Sequence, residues 1–270
     1  MYEVKNKVFF ITGGAAGIGA GVVKAFLGEG AKHVAILDVD VKNGTALEAE
    51  LIAKYGADKV KFYKCDITTS ELNDTYDAVL KQCGYIDTVV NSAGILNDNA
   101  NVYMKAIAVN MTALITSSLR AYDIMRKDHG GTGGTIINIS SIGALFQDQC
   151  LPIYHATKSA VLQFSLCLGM DPTYSRTGVR VVTLCFGCTD TSLLTTNKAD
   201  SFDPDLRESF FDGLKVMPTQ TTENAVRGLV EAYKRGASAS TWLVSGNKPA
   251  EDISANVEEA YAILSRGITD

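Results

Sequence analysis

The chain has 270 residues, 46% of them hydrophobic and 20% charged, with only 5 prolines; this excludes a disordered, collagen-like or coiled-coil protein and allows a buried core without covalent staples. Its 25 Lys and Arg against 30 Asp and Glu give a formal net charge of −5, and no basic cluster offers the footprint that nucleic acid requires. The longest apolar runs, such as 8–11 and 179–186, fall far below the roughly 20 residues of a membrane span, and no signal-type stretch precedes the first of them, so a cytoplasmic protein with no membrane partner is expected.

Short runs rich in Val and Ile recur at 7–12, 33–38, 60–66, 88–91, 135–140, 179–186 and 241–244. Between them, segments with helical spacing occupy 18–28, 41–55, 70–82, 102–127, 154–170 and 223–234. Strands alternating with helices at this pitch predict βαβ units, and strands that are apolar throughout predict a parallel sheet covered on both faces. No repeat, low-complexity tract or linker divides the chain. It reads as one domain over 1–270, an α/β fold of the doubly wound (Rossmann) type with about seven strands. Ligands of such folds bind at the carboxyl ends of the strands, which directs attention to the residues following each strand.

The first strand runs into Thr12-Gly13-Gly14-Ala15-Ala16-Gly17-Ile18-Gly19 and then directly into a helix. Glycines there permit a tight turn and let backbone N–H groups and the positive helix end approach a diphosphate. Asp38 ends the second strand about 20 residues on, the spacing at which a carboxylate meets the ribose hydroxyls of a dinucleotide. It would repel a 2′-phosphate, and neutral Ala15, Ala16 and Val39 offer no cation to hold one. NAD is therefore expected over NADP.

Further along, Tyr154 and Lys158 lie four apart on one helix face. An ammonium near a phenol favours the phenolate, which predicts a tyrosine able to exchange a proton with an alcohol or carbonyl oxygen near neutral pH. Ser140 and Ser141 end a strand facing the same crevice. His155 points elsewhere on the helix and reads as packing or surface. Of six cysteines, Cys185 and Cys188 have CxxC spacing, but there is no second pair and the three histidines are scattered, so no metal is expected. The segment 189–218 has no strand pattern but holds Leu193, Leu194, Phe202, Phe210, Phe211, Leu214, Val216 and Met217; it is either a substrate loop or a surface helix pair anchored by these side chains.

Together, Thr12-Gly-x-x-x-Gly-Ile-Gly19, Asn91-Ser92-Ala93-Gly94, Asn110, Ser141 thirteen residues before Tyr154, and Lys158 resemble the short-chain dehydrogenase/reductase family over about 7–246. Asp38, Cys65-Asp66-Ile67 and 133–141 make the chain most similar to the group of NAD-dependent 15-hydroxyprostaglandin and insect-type alcohol dehydrogenases. The resemblance implies that Tyr154 is the general acid/base and that Lys158 lowers its pKa and binds the nicotinamide ribose. It likewise makes Ser141 the polariser of the substrate oxygen and Asn110 the holder of a proton-relaying water. Gly13, Gly17, Ile18 and Gly19 would cradle the diphosphate and Asp38 the adenosine ribose. Asp66 and Ile67 would border the adenine, with Asn91 and Gly94 on the adenosine-side ribose and diphosphate. Gly187, Thr189 and Thr191 would form the nicotinamide wall.

Three departures stand out. Ser92 replaces the family's usual second Asn, Phe186 replaces the proline that usually precedes Gly187, and Leu151-Pro152-Ile153 stands where prostaglandin-type members carry a glutamine. The last shifts the expected substrate from prostaglandins to lipophilic secondary alcohols and ketones, whether steroid-like, isoprenoid or fatty-acid-derived. A homodimer (or homotetramer) is expected through the helices at 102–127 and 154–170. The competing reading is a catalytically inactive NAD-binding regulatory or scaffold protein on the same fold; a sugar-nucleotide epimerase shares Tyr-x-x-x-Lys but is more distant.

Overall fold

The computed structural model describes residues 1–268. In chain order its elements are β1 (Val8–Thr12), α1 (Gly17–Gly28), β2 (His33–Asp38), α2 (Val41–Tyr55), β3 (Val60–Lys64), α3 (Glu71–Cys83), β4 (Thr88–Asn91), α4 (Tyr103–Ile107), α5 (Leu114–Met125), β5 (Gly134–Ser141) and α6 (Pro152–Gly169). There follow α7 (Thr173–Thr177), β6 (Val179–Phe186), β7 (Cys188–Thr189), α8 (Arg207–Val216), β8 (Thr219–Gln220), α9 (Thr222–Arg235), β9 (Ser240–Val244), β10 (Glu251–Asp252) and α10 (Ser254–Leu264).

The main sheet runs β3-β2-β1-β4-β5-β6-β9-β10. Its first seven members pair in parallel and β10 pairs antiparallel with β9. It thus has eight strands rather than about seven. The extra one is a two-residue edge, Glu251 and Asp252, both exposed, with no apolar pattern to announce it. Because side chains alternate along a strand, Phe9 and Ile11 join the core cluster under α1, α2 and α9, while Val8 and Phe10 join the one under α3 and α5. Both faces are dry, which explains why β1 and β6 are buried at every residue. Phe9 stacks on Phe26 and Phe10 on Tyr76, each at 4.1 Å between centroids. The strand order reverses between β1 and β4, opening a crevice at their carboxyl ends.

Two helical expectations are revised. The helix expected over 102–127 is split: Ala108–Ala113 forms a π turn between α4 and α5. Its centre, Asn110, turns inward and bonds the loop after β4, accepting from the Ile95 N–H (2.7 Å) and donating to the Ile95 carbonyl (2.8 Å). Helix α6 begins at Pro152, two residues before the expected start, because proline suits a helix's first turn. The segment 189–218 contains one helix, α8, and short 3-10 turns, and its ends join as the parallel pair β7–β8. Among the described residues no helix is long and apolar enough to cross a membrane.

Candidate active site

A cavity of about 840 Å³ opens at the carboxyl ends of the strands. At one end lies the loop from β1 to α1. Gly13 has φ +65°, and a side chain there would come within 2.7 Å of the Ala93 backbone; at Gly19 a Cβ would meet the Gly13 carbonyl at 2.1 Å. Only glycine lets these strands of backbone approach so closely. Thr12 fastens the other side, its Oγ1 accepting from the Ser92 and Ala93 N–H groups at 3.1 and 3.3 Å. Ala16, at the capping position before α1, offers no side-chain acceptor, and no acidic residue sits in the first turn. Gly17, Ile18 and Gly19 of that turn line the cavity, and the N–H groups that a helix start leaves without intrahelical partners suit an anion there.

Asp38 borders the same end. Its Oδ2 accepts from the Ala15 N–H and its Oδ1 from the Asp40 N–H, both at 3.0 Å. These bonds fix the carboxylate while leaving lone pairs free for hydroxyl donors. Asp66 and Ile67 lie on the cavity wall beyond it. The Thr68 hydroxyl and N–H, bonded to Asp66 Oδ1, hold that carboxyl below its usual range. Thr191 lies across from Gly17, 3.4 Å from where a side chain would begin.

The middle of the cavity is lined by Gly94, Ser141, Tyr154 and Lys158. Ser141 terminates β5, and its Oγ accepts from the Gly143 N–H at 3.1 Å. Ser140, its neighbour, is spent on structure, donating to the Lys158 carbonyl at 2.9 Å and locking α6 against β5. Lys158 Nζ donates to the Ile139 carbonyl at 3.0 Å and lies 5.7 Å from the Tyr154 ring centre. With no carboxylate beside it, burial pulls its ammonium down to about 8. Burial likewise pushes the Tyr154 phenol up to about 12, although the Ser141 hydroxyl pulls the other way. The phenol is thus raised by desolvation rather than depressed by Lys158 as expected. Asn110 is fully buried, with Oδ1 3.5 Å from where a Gly94 Cβ would stand and Lys158 Nζ 3.9 Å from the same point. The four residues expected to do chemistry are therefore gathered around one spot.

The far end is apolar. Leu96, Cys150, Leu151, Ala199 and Phe210 form a small separate core, against which Tyr154, Leu193, Leu194 and Leu214 pack. Segment 189–218 is thus packed against Tyr154 as well as lining the cavity. Gly187 and Thr189 also line the cavity. Thr189 is held by Gln220, whose Nε2 donates to the Thr189 Oγ1 at 2.9 Å and to the Val244 carbonyl at 2.8 Å. Phe186, in the usual proline position, continues β6 and pairs with Ser141 and Val244. Cys185 is fully buried, Cys188 lines the cavity with Sγ 3.7 Å from Met217 Sδ, and all six cysteines are free.

Two expected residues do not line the cavity: Asn110, packed beside Gly94, and Asn91. Asn91 is 3% exposed and donates from Nδ2 to Asn138 Oδ1 (2.8 Å) and Ser118 Oγ (3.0 Å), a polar link between β4, β5 and α5 rather than a cavity contact. Strand alternation turns it into the interior, while Ser92, Ala93 and Gly94 line the cavity. Conversely, His155 does border the cavity, its Nδ1 against the Phe146 carbonyl at 3.1 Å. Sequence reasoning passed over Asp98 altogether. Its buried carboxylate accepts from the Ile153 and Tyr154 N–H groups at 2.7 and 2.9 Å. The only sequence signal was an acid four residues after Gly94, with nothing to tie it to a helix more than fifty residues later.

The short chain dehydrogenase family model matches residues 7–201. The chain is 34% identical over 193 residues to the rat 15-hydroxyprostaglandin dehydrogenase [NAD(+)], covering 71% of each, and 33% identical to the human one over the same share. It is 34% identical over 221 residues to alcohol dehydrogenase 1 of Ceratitis cosyra, covering 81% of this chain and 83% of that one. In fold it resembles the Brucella melitensis 3-ketoacyl-(acyl-carrier-protein) reductase complexed with NADH, with a TM-score of 0.74 and 24% identity over 90% of this chain and 98% of the other. Levodione reductase is similar in fold at a TM-score of 0.75 and 21% identity, over 90% and 97% of the two chains. The glycine turn, the Ser141, Tyr154 and Lys158 wall and these matches agree: the chain belongs to the short-chain dehydrogenase family.

Proposed function

We propose that this protein is an NAD(H)-dependent oxidoreductase that interconverts a lipophilic secondary alcohol and its ketone, acting as one catalytic domain over 1–270. The observation that carries the reading is a single cavity with three parts in order: a glycine cradle with a fixed carboxylate, a wall of Ser141, Tyr154 and Lys158, and an apolar end. The residues present fit the dinucleotide. A helix start whose first N–H groups lack intrahelical partners suits its diphosphate, and Gly13 and Gly19 keep the turn beneath it tight, because a side chain at either would meet main chain. Asp38 suits an unphosphorylated adenosine ribose, and the names of the rat and human relatives carry NAD(+). When bound, NAD supplies the acceptor or donor of the hydride.

On the protein side, Ser141 donates a hydrogen bond to the substrate oxygen and holds its carbon in line. Tyr154 takes the hydroxyl proton during alcohol oxidation and returns it to the oxygen during ketone reduction. The cationic Lys158 favours the phenolate electrostatically and binds the nicotinamide ribose. Asn110, wedged between Ile95 and α6, holds a water in line with Lys158. Thr191, Thr189 and Gly187 flank the nicotinamide side. Residues 189–218 form a substrate loop, and the water-excluding cluster of Leu96, Leu151, Leu193, Leu194, Phe210 and Leu214 favours a greasy substrate body, as hydrophobic pockets do. The reading is completed by a homodimer (or homotetramer) in the cytoplasm.

The test is a panel of secondary alcohols and ketones offered with NAD+ or NADH and with their phosphorylated counterparts. Hydride transfer with the unphosphorylated pair, improving with alkyl size, supports the reading. Tight cofactor binding with no transfer across the panel would favour an inactive binding protein instead.

A further inference from the structure

Helix α6 carries Tyr154 in its first turn but brings no cap of its own. Leu151, at the capping position, offers no side-chain acceptor, and Pro152 has no N–H. The orphan donors are the N–H groups of Ile153 and Tyr154, which a helix start must satisfy from elsewhere. A carboxylate from the loop after β4 does so. Asp98 is 1% exposed; its Oδ2 accepts from Ile153 (2.7 Å) and its Oδ1 from Tyr154 (2.9 Å), with a longer bond from Tyr154 to Oδ2 at 3.2 Å. Its negative charge also lies at the positive end of an 18-residue helix.

Asp98 is itself held from the other side. Its backbone N–H donates to the Asp200 carbonyl at 2.9 Å, Asn97 bridges to Asp200, and Asn97 Nδ2 donates to the Lys198 carbonyl. Ser201 Oγ closes the ring by donating to the Cys150 carbonyl at 2.7 Å. Three segments that are distant in sequence, 97–99, 198–201 and 150–154, are therefore stitched together behind the phenol.

We propose that Asp98 is a positioning residue for Tyr154: it fixes the main chain of the acid/base tyrosine and couples it to the 198–201 stretch of the proposed substrate loop. The inference rests on the acid/base reading of Tyr154. It has an electrostatic signature that a purely structural brace would lack. The groups facing the phenol are the Lys158 ammonium, the Ser141 hydroxyl, the Cys185 and Cys188 thiols, the neighbouring His155 ring and the Asp98 carboxylate. Burial opposes ionisation of the phenol most; among the charges, those of Cys188, Asp98 and Cys185 oppose it as well, and of these Asp98 is the one whose carboxylate bonds the Tyr154 main chain.

The test uses the full chain with NAD+ and cyclohexanol as the probe. Asp98→Ala, which removes every acceptor, is expected to lower kcat about 100-fold, the scale of an ångström-level misplacement, with KM and NADH affinity little changed. Asp98→Asn keeps one acceptor and loses the charge. It is expected to retain more of kcat than Asp98→Ala and to move the rise of kcat with pH to lower pH. Unchanged kcat in both variants, NADH affinity falling in step with kcat, or an unmoved profile in Asp98→Asn overturns the proposal. If the parent protein oxidises no alcohol at all, the functional reading fails separately, and the tyrosinate ultraviolet band still decides about Asp98. Taken as a difference against the matching Tyr154→Phe protein, the titration must shift to lower pH in Asp98→Asn; an unmoved titration contradicts the inference.

Discussion

Asp38 is the residue whose role is easiest to isolate, because its two carboxylate oxygens are fixed by main-chain donors and it packs into no core. Asp38→Ala is expected to weaken NAD+ binding by about tenfold, the loss of one or two charge-assisted hydrogen bonds, and to narrow discrimination against NADP+. Titration with both cofactors measures it, and an unchanged preference contradicts the assignment. Lys158 carries a different signature. An unfolded lysine keeps its proton to 10.5 and this one only to about 8, a burden of about 3 kcal/mol at about 1.4 kcal/mol per tenfold change in proton affinity. The burden is complete below pH 8 and fades as pH rises to 10.5. The stability of Lys158→Met relative to the parent is therefore highest below pH 8 and declines through that window; denaturant titrations across it would find no such decline if the ammonium were well solvated. Ser141, Tyr154 and Lys158 were legible in the sequence because one strand end and one helix turn fix their spacing. The inward turn of the Asn91 side chain was not legible because it depends on the pleat of β4, nor was the part of Asp98, whose partners are remote.

Among the elements, the parallel strands were legible because burial on both faces leaves most of them largely apolar runs; β3, at the sheet edge with Lys61 and Lys64, is the exception. The two-residue strands β7, β8 and β10 were not, since they owe their pairing to neighbours rather than to any pattern of their own. The π turn at Ala108–Ala113 also escaped, because one extra residue in a turn barely disturbs helical spacing; what selects it is the Asn110 side chain satisfying both backbone groups of Ile95. The β1–α1 turn is the element most exposed to substitution. Gly19→Ala would press a methyl group against the Gly13 carbonyl, 2.1 Å from the ideal Cβ, and push α1 away from the loop. The expected result is at least about a tenfold loss of NADH affinity, or about 1.4 kcal/mol, seen by fluorescence titration. Retained affinity would show that the turn adjusts freely and that the cradle is not set by close packing.

At the scale of the whole molecule, one sheet spans β3 to β10 and one cavity joins its cofactor end to the apolar cluster that segment 189–218 builds. The sequence marked that segment as apolar but not how it attaches, because its contacts with Leu96 and Leu151 are made across long loops. The helical layer of α4, the π turn, α5 and α6 leaves Met104 64% exposed, with Ile107, Met111, Ile115 and Phe164 incompletely covered. A homodimer across this layer would bury them, so light scattering at working concentration is expected to give twice the chain mass; a monomer there contradicts the assembly while leaving the catalytic reading intact. That reading stands on one phenol. The most direct measurement compares NAD+ reduction by the parent protein and by Tyr154→Phe on the best alcohol of the panel. The account predicts turnover in the parent and a fall of at least about 100-fold in the variant, with NADH binding preserved; a variant that turns over near the parent rate contradicts it.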